Sequence, residues 1–166
     1  MKVTASGDPE GRLLAEADRI PPDDRTPSGE ELRDPLLPIQ AENLGHEVFR
    51  VDFSDGSPIL KVNNRFGDWR ALVRSPAFVC FALPQAFREV LARILWVEEN
   101  YETEDVSDWQ ARWLRFASAI PGSSDSPEEE HQERFDDWIN EAVAAFARMH
   151  GMKDRFSLFW SGGAES

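Results

Sequence analysis

The sequence predicts an α+β fold: a small antiparallel sheet built on a β-hairpin at about 46–64, packed against about four helices behind a disordered acidic N-terminal arm. Three observations predict it. Residues 46–64 alternate apolar and polar side chains at period two around a glycine turn. Downstream, apolar residues recur at helical spacing in several separate segments. Upstream, the chain is crowded with prolines and charges. The organisation expected is a flexible arm over residues 1–40, one α+β domain over 41–160 and a short tail over 161–166.

The arm rests on Pro21, Pro22, Pro27, Pro35 and Pro38. Each lacks a backbone donor and interrupts helix or central strand. Two apolar touchpoints, Leu13-Leu14 and Leu36-Leu37, punctuate it.

The hairpin is the most patterned stretch. Phe49, Val51 and Phe53 alternate with Val48, Arg50 and Asp52, giving two faces of a strand. Ser54-Asp55-Gly56-Ser57 supplies a turn, with glycine available for positive φ. Pro58 opens the second strand, where a missing donor is tolerated, and Ile59, Leu60 and Val62 carry it to Asn63-Asn64.

Helices follow. Asp68 is placed to cap Trp69–Ser75, which Pro76 ends. Pro84 suits the first turn of a new helix whose stripe is Phe87, Val90, Leu91, Ile94 and Leu95, ending near Asn100. Ser107 is the expected cap of a helix carrying Trp109, Trp113, Phe116, Ala117 and Ile120. Ser126-Pro127 with three glutamates reads as the start of the next, whose stripe is Phe135, Trp138, Ile139, Ala142, Val143 and Phe146. Gly151 is expected to stop it. The aromatic run RFSLFW reads either as a late strand or as an anchor for another chain.

Composition narrows function. The 166 residues carry a net charge of −13, with only residues 46–97 slightly basic. Such a chain repels nucleic-acid phosphate, so direct nucleic-acid binding is disfavoured except through that segment. No apolar run is long enough to span a membrane, and the N-terminus lacks the apolar centre of a signal peptide, which makes a cytoplasmic location the default expectation.

No complete catalytic or metal set is visible, and no cofactor is expected. Cys80 is the single cysteine and lies in the apolar run AFVCFAL, the setting of a small core residue. His46, His131 and His150 are scattered and lack zinc-ligand spacing. A restriction-type metal centre needs a carboxylate two residues before a lysine, and Ile59 stands in that place before Lys61. Acidic pairs such as Glu98-Glu99 and Asp136-Asp137 fall on charged faces.

What the sequence does offer is contact residues. Arg65, Arg70 and Arg74 form the one basic cluster near ordered structure. Phe156, Phe159 and Trp160 form a compact aromatic patch, and Trp96 and Tyr101 lie off the main stripes.

The segment VFRVDFSDGSPILKVNNRF, followed by a proline-started helix, resembles a hairpin-plus-helix element in bacterial proteins of restriction-like and anti-phage defence loci. Those loci also encode GHKL ATPases, Z1-domain proteins and nucleases. The resemblance covers about 46–96 and rests on aromatic-x-Val-Asp ending at Asp52, Gly-x-Pro-x-Leu ending at Leu60, and Asn63 after the second strand. The ATPase nucleotide-binding motifs are absent, so what it implies is an accessory role with protein partners encoded in the same locus.

The reading is therefore a non-enzymatic interaction subunit of a bacterial multi-protein system. One alternative is a metal-dependent nuclease or hydrolase whose residues gather only in the fold, with Asp52, Lys61 and Asn63 as its candidates. The other is an acidic DNA mimic that inhibits a DNA-binding protein.

Overall fold

A computed structural model describes residues 35–163. Residues 1–34 of the arm expected over 1–40, and the last three residues of the expected tail, lie outside the described residues. Three strands form one sheet: β1 (Ile39–Glu42), β2 (Phe49–Asp52) and β3 (Ile59–Asn63). Their order is β1-β3-β2. Strands β2 and β3 are the expected antiparallel hairpin, with Phe49 opposite Val62 and Val51 opposite Leu60.

Strand β1 corrects two expectations. It pairs parallel to β3, Ile39 opposite Leu60, so the sheet is mixed rather than antiparallel. It also lies inside the segment assigned to the arm. Leu37 is fully buried and Ile39 nearly so, and the Pro38 carbonyl accepts a 2.8 Å hydrogen bond from the Leu60 N–H. Residues 35–40 thus belong to the domain. Pro38 costs the sheet nothing because it stands just before an edge strand.

The turn of the hairpin forms as its residues dictate. Asp52 accepts from the Ser54 N–H (2.9 Å) and hydroxyl (3.0 Å), and Gly56 takes φ +80°.

Five α-helices are described, α1 (Trp69–Arg74), α2 (Pro76–Ala92), α3 (Trp109–Ser118), α4 (Phe135–Met149) and α5 (Met152–Gly163). Asp68 caps α1 by accepting from the Ala71 N–H. Ser75 caps α2, with Pro76 at its first position. Pro84 does not start a helix; it sits inside α2. The apolar stripe explains this. Phe78, Ala82, Leu83, Ala86, Phe87, Val90 and Leu91 are all buried on one face, and that burial outweighs the hydrogen bond Pro84 cannot donate. A wider turn, Arg93–Val97, closes α2 and buries Ile94 and Leu95.

Two caps differ from expectation. Asp108, not Ser107, accepts from the Gln110 N–H at the start of α3; the Ser107 hydroxyl instead donates to Asp105. Ser126 does not cap a helix, since a 3₁₀ turn over Glu129–Arg134 precedes α4 and the Ser126 N–H donates to the Ser118 hydroxyl. The α4 stripe is buried as expected apart from Val143, which is partly buried. Gly151, at φ +58°, separates α4 from α5.

The RFSLFW segment is a helix, neither the late strand nor, in residues 161–163, the tail assigned to it. Helix α2 is the spine, contacting the sheet, α1, α4 and α5. Phe87 sits at the heart of the core, its ring 5.0 Å from Phe146 and 5.8 Å from both Trp113 and Phe116. Among the described residues no helix is long and apolar enough to cross a membrane.

Candidate interaction surfaces

The outer face of the sheet holds the residues of the hydrolase alternative. Period-two alternation sends Leu60 and Val62 inward and Lys61 outward. The Lys61 amine lies 2.5 Å from Asp52 on β2 and 2.8 Å from Glu42 on β1. The structure therefore brings Asp52 and Lys61 together and adds Glu42, which sequence reading missed because β1 was missed. Bonds from Lys61 and Ser54 hold the Asp52 carboxyl down at about 2. Both carboxylates raise the Lys61 ammonium above its usual range. Each partner fixes the other in its charged form.

Asn63 does something else. It is almost wholly buried, and its amide donates to the carbonyls of Gly45 (3.1 Å) and Glu47 (2.7 Å) while its oxygen accepts from the Arg65 N–H (3.0 Å). That accounts for its hydrogen-bonding capacity within the fold. Asn63 ties the β1–β2 loop to the end of β3.

The basic cluster lies on the 3₁₀ turn Asn64–Phe66 and α1. Arg65 and Arg74 are exposed, and Arg70 and Arg74 share a helical face four residues apart. The Arg70 guanidinium lies over the Trp69 ring at 4.6 Å.

The aromatic patch forms where α5 crosses α2. Met152 is buried, and the half-buried Phe156 ring meets Phe81 edge-on at 5.1 Å. Phe159 and Trp160 lie 6.2 and 6.3 Å from Phe156. Trp160 is 70% exposed and Phe81 more than half exposed; Leu158, also exposed, lies two residues from Phe156 and so on the other side of α5. The Cys80 thiol joins the same two helices, donating to the Met152 carbonyl at 3.3 Å; burial pushes its pKa up. Phe81 was not anticipated. Read as one continuous helix, 76–92 places Phe81 on a face with Gln85 and Arg88, outside the buried stripe.

Trp96 is exposed as well, at the end of the wide turn, whereas Tyr101 is half-buried against Phe135. An open groove of about 510 Å³ lies between Tyr101, Arg115, Asp125 and Glu128. Among the described residues no three His, Cys, Asp or Glu side chains cluster as metal ligands.

The chain matches no family model, no curated protein and no solved structure.

Proposed function

We propose that this protein is a non-catalytic docking subunit of a bacterial multi-protein system, of the kind encoded in anti-phage defence loci, and that it engages a protein partner through the aromatic face of α5. The supporting observation is the exposure of Phe81, Phe159 and Trp160 around the Phe156 ring, where two helices meet. Burying a side chain of this size is worth roughly 1.5–3 kcal/mol, so a face that leaves three uncovered is suited to a partner that covers them. Arg65, Arg70 and Arg74 are the second contact set of this reading.

The test is co-expression with the products of neighbouring genes, followed by co-purification. The expected result is a stoichiometric complex that Phe159→Ala with Trp160→Ala dissociates. A chain that purifies alone, with both substitutions silent in vivo, removes the reading.

A second reading, a hydrolase working on the outer sheet face, draws on the meeting of Glu42, Asp52 and Lys61. A general acid or base works best when its pKa lies near the working pH, and Asp52 at about 2 is far from neutrality. Loss of function in Asp52→Ala with unchanged thermal stability supports this second reading over the first.

A further inference from the structure

The wide turn that closes α2 brings Trp96 and Val97 to the surface, 45% and 60% exposed. Trp96 is nonetheless held in place. Its ring meets Phe135 edge-on at 5.0 Å, and its indole N–H donates to Asp136 Oδ1 at 3.1 Å. Tyr101 packs on the same Phe135 ring at 5.6 Å. The Tyr101 hydroxyl bonds to Gln132, and its pKa is raised by lost solvation and by the carboxylates of Glu99 and Glu129.

These contacts join two acidic stretches that are distant in sequence. Residues 98–108 hold six carboxylates and no Lys or Arg; residues 128–137 hold six more against Arg134. Arg93, at the border, is engaged by Glu98 at 2.7 Å. The apolar pair Trp96 and Val97 therefore sits within a strongly negative field. A carboxylate accepting from the indole N–H also makes the ring face more electron-rich, which favours a cation above it.

That field selects the occupant. Nucleic acid and anionic lipid are repelled by it, and a second copy carries the same −13 charge. We propose that Trp96 and Val97 form a docking face for a basic amphipathic segment of a partner protein, with an arginine or lysine stacked on Trp96 and an apolar neighbour covering Val97. This face is separate from the α5 patch: Phe81 and Trp96 are fifteen residues apart on one helix, roughly 20 Å at 1.5 Å per residue. It does not depend on the α5 reading.

The experiment titrates the full chain with a peptide of about 20 residues carrying Arg and Leu at helical spacing, and with its Glu-and-Leu counterpart, by calorimetry at about 50 and about 300 mM NaCl. The expected result is binding of the Arg peptide alone, weakened by salt. Trp96→Ala is expected to weaken it about tenfold and Val97→Ser about threefold, with Phe159→Ala unchanged. Because Trp96 packs on Phe135, thermal midpoints accompany each variant; Val97→Ser, at an exposed position, keeps the test valid if Trp96→Ala misfolds. Glu129→Gln with Asp136→Asn is expected to flatten the salt dependence. Binding indifferent to both Trp96→Ala and Val97→Ser, which is charge mimicry of DNA without an anchor, overturns the proposal. So does equal binding of the Glu peptide, loss of binding in Phe159→Ala, or self-association that excludes the peptide.

Discussion

Lys61 on β3 and Asp52 on β2 face each other at 2.5 Å on the outer side of the sheet, and the pair is completed by Glu42 on β1. The pairing lowers the Asp52 carboxyl from its ordinary 3.8 to about 2. A carboxylate depressed in the folded state stabilises that state above its unfolded pKa. The contribution is complete above pH 4 or so and is lost as pH falls through about 2. Carbon-detected NMR titration checks this: Asp52 is expected to titrate near 2, and in Lys61→Met to move up toward the ordinary aspartate range. An Asp52 that titrates at its ordinary value in the unaltered chain means that the pair does not form in solution.

Asn63→Ala is expected to destabilise the fold by about 1–2 kcal/mol, because the carbonyls of Gly45 and Glu47 lose the buried amide that ties the β1–β2 loop to β3. Asn63→Asp is expected to cost more, since a carboxylate there faces the same two carbonyls. Urea denaturation checks both. An inactive Asn63→Ala with unchanged stability points instead to the hydrolase reading.

Glu99 holds φ +49°, the left-handed conformation that glycine usually supplies where a helix ends. Next to it, the Asn100 N–H reaches back to the Ile94 carbonyl at 3.2 Å. Glu99→Gly is expected to raise stability by about 1 kcal/mol by removing the Cβ clash. A thermal midpoint that falls argues that the glutamate side chain has a partner in the fold.

Pro84 interrupts the hydrogen-bond ladder in the middle of α2. Pro84→Ala restores a donor and is expected to raise stability by about 1–3 kcal/mol in chemical denaturation. An unchanged midpoint means that α2 is already relaxed at that point and the proline carries no strain.

The hairpin was legible because strict alternation and a glycine turn leave one register that buries Val51, Leu60 and Val62 together. The α4 stripe was legible for the corresponding helical reason. Strand β1 was not, because Pro35 and Pro38 mimic the composition of a linker and a parallel partner carries no turn signal beside it. Pro84 misled in the opposite sense: local rules start a helix there, and the continuous buried face of α2 overrides them. The C-terminal aromatics Phe159 and Trp160 are exposed, but Ser157-Leu158-Phe159-Trp160 has no clear period, so helix and strand were indistinguishable. Phe81 and Glu42 were missed as consequences of those two errors about α2 and β1.

Strand β1 also sets where a usable fragment of this chain can begin. β3 is the central strand, and β1 covers its second edge through the register Ile39 to Glu42. Cutting at His46 keeps the whole hairpin yet uncovers a row of backbone amides and carbonyls flanked by Leu60 and Val62. An uncapped border of that kind recruits the same border of another molecule, and the shortened chain is expected to precipitate by strand addition rather than simply melt at a lower temperature.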